Sequence, residues 1–164
     1  MPLRNRGLTM PAPRLIALGV ILLLSGCKGQ ALPLPFLSKS TSMVIEIEAA
    51  GNINPTPAGR ASPLVVKLYQ LQSPTVFNQV DFLALYDADE RTLGKDLVRK
   101  EAVVLKPNEK RTVAFEPPAE TQAIGIFAAF RDYERAQWRA VAVVRPHKSN
   151  VIRIDVRGTN LTMR

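Results

Sequence analysis

The feature that most constrains the fold is a series of short strand-like segments separated by turn-forming residues. In residues 151–157, the apolar residues Ile152, Ile154 and Val156 alternate with Arg and Asp, a period of two that predicts a strand with one buried face. We predict further strands at residues 44–49, 64–71, 100–105, 111–116, 122–130 and 137–144. Short strands with turns between them are typical of a β-sandwich, and the residues after 157 are expected to fray.

One stretch, residues 73–98, interrupts the strands with helical signals. Ser73 followed by Pro74 is typical of a helix start, and Asp81 is expected to cap a second short helix. Residues 122–130 consist almost entirely of small and apolar side chains, which indicates a central strand buried on both faces. The predicted fold is therefore all-β, a sandwich of about seven strands with a short helical insert between strands 2 and 3.

The N-terminus predicts export and attachment of lipid. Residues 1–14 contain three arginines and no acidic residue, and residues 15–24 are apolar; this is the order of a signal peptide. The apolar run is too short to span a bilayer as a helix, which needs about 20 residues. The motif Leu24-Ser25-Gly26-Cys27 resembles the bacterial lipobox, which implies cleavage before Cys27 and acylation of its thiol. An ordinary secretory signal with a chance cysteine, or a core cysteine in a cytosolic chain, is the alternative.

These signals divide the chain into three parts. Residues 1–26 form the signal peptide, which starts at Met1 or Met10; residues 27–42 form the acylated cysteine and a tether; residues 43–164 form the sandwich domain. Cys27 is the only cysteine and cannot make an intramolecular disulfide. Two or three acyl chains hold a protein firmly on a membrane. Lys28, rather than Asp, follows Cys27, which favours the outer membrane by the sorting rule of enteric bacteria.

The sequence offers little support for catalysis or for nucleic-acid binding. His147 is the only histidine, so a zinc or copper site built from several histidines and cysteines is not expected. The motif Asp87-Ala88-Asp89 lacks the glycine and the next ligand of a calcium loop. The net charge of +8 falls to +5 without the arginines of residues 1–26, and the basic residues are scattered rather than clustered. We therefore expect no catalytic residue, metal, small-molecule substrate or nucleic acid, and lipid on Cys27 as the one covalent addition.

Two segments are candidates for binding a partner. Residues 51–63 are rich in glycine, asparagine and proline and exceed the usual hairpin loop of about 2–5 residues, so they form either a binding loop or a mobile connector. Residues 130–135 place opposite charges around aromatic rings. The preferred interpretation is a turn held by arginine–carboxylate pairs, with Trp138 covering the core; the alternative is a binding patch.

Segments throughout the predicted mature chain resemble the outer-membrane lipoprotein of the type VI secretion system, the TssJ (SciN/VasD) family. Besides the lipobox, they are Leu68-Tyr69-Gln70-Leu71, Phe77 with Asp81-Phe82 and Leu85, Leu93-Gly94-Lys95-Asp96-Leu97, Leu105-Lys106-Pro107, residues 124–132 and Ala136-Gln137-Trp138-Arg139. The stretch from residue 124 onward is the most specific. The family's Pro-Gly-Glu turn reads Pro107-Asn108-Glu109 here, and asparagine tolerates the left-handed conformation of such a turn.

The resemblance implies a transthyretin-like β-sandwich at the periplasmic face of the outer membrane. It also implies a non-catalytic role: binding the periplasmic domain of the inner-membrane protein TssM, which works with TssL, and thereby tethering the trans-envelope complex. In the family the loop between the first two strands is implicated in that contact. Mapped onto this chain, the candidate residues are Asn52, Ile53, Asn54, Pro55, Thr56, Pro57, Ala58, Gly59 and Arg60. The alternatives are a pilotin-like or cell-wall-associated binding module and a periplasmic hydrolase on a similar fold.

Overall fold

The strands pair into two four-stranded sheets that pack face to face. The computed structural model describes residues 40–164. The strands are β1 (Ser42–Ala49), β2 (Leu64–Leu71), β3 (Leu97–Leu105), β4 (Lys110–Phe115), β5 (Ala123–Ala128), β6 (Arg139–Val143), β7 (Ser149–Arg157) and β8 (Asn160–Met163). The first sheet has the order β4-β1-β7-β8 and the second the order β3-β2-β5-β6. β1 and β7 run parallel, and the other neighbouring strands are antiparallel. The predicted β-sandwich is therefore confirmed.

Residues 40–164 contain one strand more than predicted, because the segment after residue 157 does not fray. It forms β8, which pairs with β7 from Ile154 opposite Met163 to Arg157 opposite Asn160. Gly158 has a φ of 57°, a left-handed conformation that glycine adopts without steric cost and that permits a tight reversal of the chain. The side chain of Leu161 is fully buried, so a single apolar residue and a tight turn hold this short strand in place.

The main core lies between the two sheets. The predicted alternation is confirmed in β1 and β7, whose inward side chains are all less than 10% exposed. These are Ile45, Ile47 and Ala49 in β1 and Ile152, Ile154 and Val156 in β7. Each large aliphatic side chain buried in this way stabilises the fold by roughly 1.5–3 kcal/mol. Asp155, which was expected to face solvent, is instead buried and forms a two-pronged ion pair with Arg164.

A second core lies between the outer face of the β3-β2-β5-β6 sheet and the predicted helical insert. The insert contains α1 (Thr75–Gln79), α2 (Phe82–Leu93) and a 3₁₀ turn (Gly94–Asp96). Asp81 caps α2 as predicted, because its Oδ1 accepts a hydrogen bond from the N–H of Ala84 at 2.8 Å. Ser73 is not the cap of α1, since Pro74 occupies that position without a side-chain bond.

β5 is buried on both faces, as its composition predicted. Its inner side chains pack between the sheets, and Phe127 on its outer face packs against the insert. Gly125 lies under the ring of Phe77, and a β-carbon at this position would lie 3.1 Å from that ring and 3.0 Å from Leu71 Cδ1. The close approach explains why one position of this apolar strand has no side chain.

Within residues 40–164, no helix is long and apolar enough to cross a membrane. The predicted signal peptide, Cys27 and the tether up to residue 39 lie outside the described residues. The predicted tether extends to Ser42, which is instead the first residue of β1.

Candidate partner-binding site

The loop of residues 51–63 is anchored at its base. Ile53 and Asn54 are buried, and Asn54 has a φ of 46°, a left-handed conformation that asparagine tolerates. Its Nδ2 donates a hydrogen bond to the carbonyl of Pro63 at 2.8 Å, and its Oδ1 accepts one from the N–H of Arg131 at 2.9 Å. The hydroxyl of Ser62 donates to the carbonyl of Asn54 at 2.5 Å. One side chain thus closes the loop and ties it to the β5–β6 connection.

The outer part of the loop is a compact turn. The N–H of Thr56 donates to the carbonyl of Arg60, and the N–H of Gly59 donates to the carbonyl of Thr56, both at 2.8 Å. The Oγ1 of Thr56 accepts a third hydrogen bond, from the N–H of Arg60 at 3.2 Å. Gly59 has a φ of 76°, which explains a glycine at this position. These bonds favour a preformed loop over a mobile connector.

The nine candidate residues of the loop divide by burial. Pro57, Ala58, Gly59 and Arg60 are exposed and form the tip, which is the part of the loop that a partner can reach. Ile53 and Asn54 are buried, and Pro55 and Thr56 are half-buried, so these four support the tip from below. The remaining residue, Asn52, is exposed at the base, where its Oδ1 accepts a hydrogen bond from Gly158 N at 3.2 Å.

A groove of about 360 Å³ lies beside the base of the loop. It is lined by Asn54, Phe82, Leu83, Tyr86, Ala129, Phe130, Arg131 and Tyr133. Leu83 and Tyr86 project from adjacent turns of α2 and are 49% and 53% exposed, so they give the groove an accessible, largely apolar wall. Because Asn54 belongs to the base of the loop and also lines the groove, the loop and the groove form one continuous surface.

Three stacked aromatic rings form one wall of this groove. The ring of Phe82 stacks on Tyr133, with centroids 4.4 Å apart, and on Tyr86, with centroids 5.7 Å apart. Trp138 packs edge-on against Phe82 at 5.4 Å, and such aromatic pairs each stabilise by about 0.5–1.5 kcal/mol beyond their burial. The wall is therefore attached rigidly to the second core, and its exposed end is Tyr86.

The predicted ion pairs of residues 130–135 are not formed. Among the residues that the structure describes, no carboxylate lies within ion-pair distance of Arg131 or Arg135. The segment contains a 3₁₀ turn (Tyr133–Arg135), which is fixed by the ring stack on Phe82 and by the hydrogen bond from Arg131 N to Asn54. Trp138 does cover the core as predicted, because it packs against both hydrophobic clusters.

A buried carboxylate that sequence reasoning passed over holds α2 on the sheet. Asp89 accepts hydrogen bonds from Lys67 Nζ at 2.9 Å, Lys100 Nζ at 3.1 Å and the hydroxyl of Tyr69 at 3.0 Å. Lys67 Nζ also donates to the carbonyls of Leu85 and Tyr86, each at 3.2 Å. α2 bends at this point, since the residue before Asp89 has a non-helical φ of −145°. The calcium-like Asp87-Ala88-Asp89 motif thus contains an anchor for the helix.

The electrostatics of this cluster follow from its burial and its charges. Burial raises the pKa of Asp89, but the hydrogen bonds from Lys67, Lys100 and Tyr69 outweigh it and lower that pKa to about 2. Burial and the adjacent Asp89 carboxylate raise the pKa of the Tyr69 hydroxyl. At neutral pH, Asp89 is therefore ionised and Tyr69 is a neutral donor, which is the arrangement that the hydrogen bonds require.

His147, the one histidine, lies in the exposed β6–β7 turn. Its φ is 59°, and its backbone N–H donates to the Oγ1 of Thr41 at 2.8 Å. In residues 40–164, histidine, cysteine and acidic side chains do not assemble into a group of three that would hold a metal ion.

Comparison with known proteins gives a consistent result. Residues 41–159 match the sequence model of the T6SS-SciN family, described as type VI secretion lipoprotein, VasD, EvfM, TssJ, VC_A0113. A comparison with curated protein sequences gives no match. The chain is similar to the crystal structure of the T6SS lipoprotein TssJ1 from Pseudomonas aeruginosa, with 36% identity and a TM-score of 0.74, over 76% of this chain and 95% of that one.

Two further solved structures are similar. One is described as "Type VI membrane complex" and matches with 27% identity and a TM-score of 0.68, over 77% of this chain and 99% of that chain. The other is described as "T6SS protein TssM C-terminal domain (869-1107) from EAEC" and matches with 26% identity and a TM-score of 0.64, over 76% of this chain and 98% of that chain.

Proposed function

Because this chain belongs to the type VI secretion lipoprotein family, we propose that it anchors the membrane complex of that secretion system to the outer membrane. Lipid on Cys27 holds one end of the protein in the periplasmic face of the outer membrane. The sandwich binds the periplasmic domain of a TssM-type inner-membrane protein, and through it TssL. The role is mechanical rather than catalytic, and it uses no small-molecule substrate or cofactor.

The attachment to lipid is supported by the family and by the lipobox. Cleavage before Cys27 exposes an N-terminal cysteine, and two or three acyl chains then contribute roughly 0.8 kcal/mol for every buried CH₂ group. Lys28 after the cysteine supports the outer rather than the inner membrane.

The choice of partner is supported by the structure described for a TssM C-terminal domain. That structure matches this chain with 26% identity and a TM-score of 0.64, and the structure described as a type VI membrane complex matches it with 27% identity and a TM-score of 0.68. Both descriptions name components of the secretion machinery, which supports a TssM-type partner.

The observation that carries the contact is that the loop of residues 51–63 is held in one conformation by its own hydrogen bonds. Its base is buried and closed by Asn54, while its tip, residues 57–60, is exposed. A loop already held in one conformation loses little entropy on docking. The groove beside the loop presents Leu83 and Tyr86 to the same partner, since the loop and the groove share a wall. Exposed aromatic side chains in such positions are frequent anchors of interfaces.

The contact is tested by measuring the affinity of the full mature chain, in detergent micelles, for the purified periplasmic domain of a TssM-type protein. Ala58→Glu in the tip and Leu83→Glu in the groove should each weaken binding about tenfold or more, because each buries a charge in the interface. Ala119→Glu is the matched control, since Ala119 is also an exposed alanine and lies in a connection at the other end of the sandwich. Equal affinities for all three variants and the original chain would place the contact elsewhere.

The lipid anchor is tested by Cys27→Ser. The variant should lose the acyl chains and leave the outer-membrane fraction, because no other residue of the lipobox carries a thiol. Mass spectrometry of the N-terminal peptide reads the modification directly, and a variant that is still acylated would contradict the anchor.

A further inference from the structure

One side of the sandwich is incompletely closed. β6 is an edge strand of the second sheet, and β8 is an edge strand of the first. The two edges meet at Gln137, which donates to the carbonyl of Thr159 at 3.1 Å and accepts from the N–H of Leu161 at 2.9 Å. Beyond this bridge a groove of about 390 Å³ separates β6 from β7. The far end of the groove is closed by the β6–β7 turn, where Asn150 bonds to both backbone groups of Arg145.

The backbone of β6 presents unpaired hydrogen-bonding groups to this groove. The carbonyl of Trp138 accepts from Ala128, and the N–H of Val144 donates to Gln122, so the even-numbered residues of this strand face β5. The N–H and carbonyl groups of Val141 and Val143 therefore face the opposite way. Within residues 40–164, no strand pairs with that side of β6.

The opposite wall of the groove is also an incompletely paired strand. β8 is short, and its last backbone bond to β7 joins Arg164 N to the carbonyl of Arg153 at 2.8 Å. The backbone groups of Val151 point in the same direction as those of Arg153, because residues two apart in a strand are equivalent. Within residues 40–164, the pairing of β8 with β7 reaches no further than the bonds between Arg153 and Arg164, and Val151 lines the groove from the β7 side. Two strand edges thus face each other across one groove.

The side chains around the groove are apolar or cationic. Val143, Val151 and Met163 are 77%, 47% and 41% exposed and together line the groove, so its walls present accessible apolar surface. The charged side chains that line the groove are Arg145 and Arg164, and no acidic side chain lines it. Because Arg164 is already paired with Asp155, Arg145 supplies the positive charge that a partner can reach. An exposed, apolar edge strand without an acidic residue is a template for pairing with another chain.

We propose that this groove is a strand-addition site for an extended segment of a partner protein, in which apolar residues alternate with Asp or Glu. The segment pairs through its backbone with Val141 and Val143 of β6, which is the mode by which many domains bind extended peptides. Its apolar side chains cover Val143, Val151 and Met163, while a carboxylate at its end approaches Arg145. The site lies on the side of the sandwich, away from the 51–63 loop, and the proposal does not depend on what that loop binds.

The probe is a fluorescent heptapeptide of sequence Val-Glu-Val-Glu-Val-Glu-Val, titrated against the full mature chain in detergent micelles and followed by anisotropy. We expect saturable binding and slower amide hydrogen exchange at Val141 and Val143. A second peptide with Lys in place of Glu should bind at least about tenfold more weakly, because the groove is cationic.

Two substitutions of Val143 test the geometry. Val143→Pro removes an N–H that faces away from β5, so it leaves the sheet intact and should weaken binding of the acidic peptide about tenfold. Val143→Glu should do the same through charge repulsion. Val104→Glu is the matched control, because Val104 is 55% exposed on the other edge strand of the same sheet, and it should bind like the original chain.

The proposal is overturned if both Val143 variants bind the acidic peptide like the original chain, or if the Lys peptide binds equally well. It is also overturned if the chain dimerises and Val143→Pro abolishes only the dimer, since the occupant would then be a second copy. Circular dichroism and the melting temperature show whether each variant has kept the fold.

Discussion

Asp89→Asn should destabilise the fold by about 1–2 kcal/mol at pH 7, and this loss should shrink in acid. The Asp89 carboxylate accepts hydrogen bonds from two lysines and a tyrosine, and its side chain is 9% exposed. Asparagine has the same shape as aspartate and keeps one acceptor oxygen, but it lacks the negative charge that balances Lys67 and Lys100. Lys67 still donates to the carbonyls of Leu85 and Tyr86, so the penalty stays below the roughly 3–5 kcal/mol of a fully buried unpaired charge.

The magnitude follows from the pKa of Asp89. That pKa is about 2 in the folded protein against an ordinary value of 3.8, and a difference of one pH unit corresponds to about 1.4 kcal/mol. The difference gives about 2.4 kcal/mol in favour of the ionised, folded form. Solvent screens part of this, because Lys100 is 40% exposed, and the expected loss is therefore about 1–2 kcal/mol.

The dependence on pH has a definite sign. The folded-state pKa is lowered, so the stabilisation is fully present above the unfolded-state pKa of 3.8 and disappears as the pH falls through about 2. The difference in unfolding free energy between the original chain and Asp89→Asn should be constant from about pH 5 to 8. Near pH 2.5 it should fall to less than half of that value.

Urea denaturation followed by circular dichroism, at pH 7 and pH 2.5, measures this difference, and the melting temperature at pH 7 should fall by about 4–8 °C. Glu48→Gln is the control, because the Glu48–Lys110 pair is 3.3 Å long with both side chains at least half exposed. Glu48→Gln should lower the free energy of unfolding by no more than about 0.5 kcal/mol. A cost of Asp89→Asn that is the same at both pH values, or no larger than that of Glu48→Gln, would refute the reasoning.

Three further substitutions test other parts of the fold. Gly125→Ala should cost about 1–3 kcal/mol in urea denaturation, because its β-carbon would lie 3.0–3.1 Å from Leu71 and Phe77. Asn54→Ala should cost about 2 kcal/mol and speed proteolysis within residues 51–63, because it removes two hydrogen bonds at a positive φ. Arg139→Ala should speed amide exchange in α1 by tenfold or more, because Arg139 Nη1 binds the carbonyls of Phe77 and Val80, each at 2.9 Å.

The sandwich was predictable because its strands carry a local pattern. Period-two alternation in β1 and β7 and the apolar run in β5 identified three inner strands and their buried faces. The apolar run has a simple cause, since β5 has the other sheet on one face and α1 and α2 on the other. β8 was missed because four residues with a single buried side chain, Leu161, give no period to detect. Its stability comes from pairing with β7, which is not a local property.

The candidate site was predictable in position but not in construction. The length and composition of residues 51–63 indicated a loop of interest, but the role of Asn54 depends on partners at Pro63 and Arg131, the second of which is 77 residues away. The same limit applies to Asp89, whose donors Lys67 and Lys100 come from two neighbouring strands. Hydrogen bonds between residues far apart in the chain produce no pattern in the local sequence. For the same reason the prediction that the charges of residues 130–135 pair with each other was wrong.

α2 connects the stability of the fold to the proposed contact. Its buried residue Phe82 packs in the second core and supports the exposed Tyr86 and the half-buried Tyr133 by stacking. Phe82→Ala therefore lowers the stability of the fold by roughly 3–5 kcal/mol and distorts the groove at the same time. This substitution cannot show whether a loss of binding comes from the groove or from unfolding. Leu83 lies one residue away and is half exposed, so its substitution changes the surface and leaves the core intact. If a Leu83 variant binds the partner more weakly but keeps its melting temperature, the loss does not come from a destabilised α2. The groove is then part of the interface.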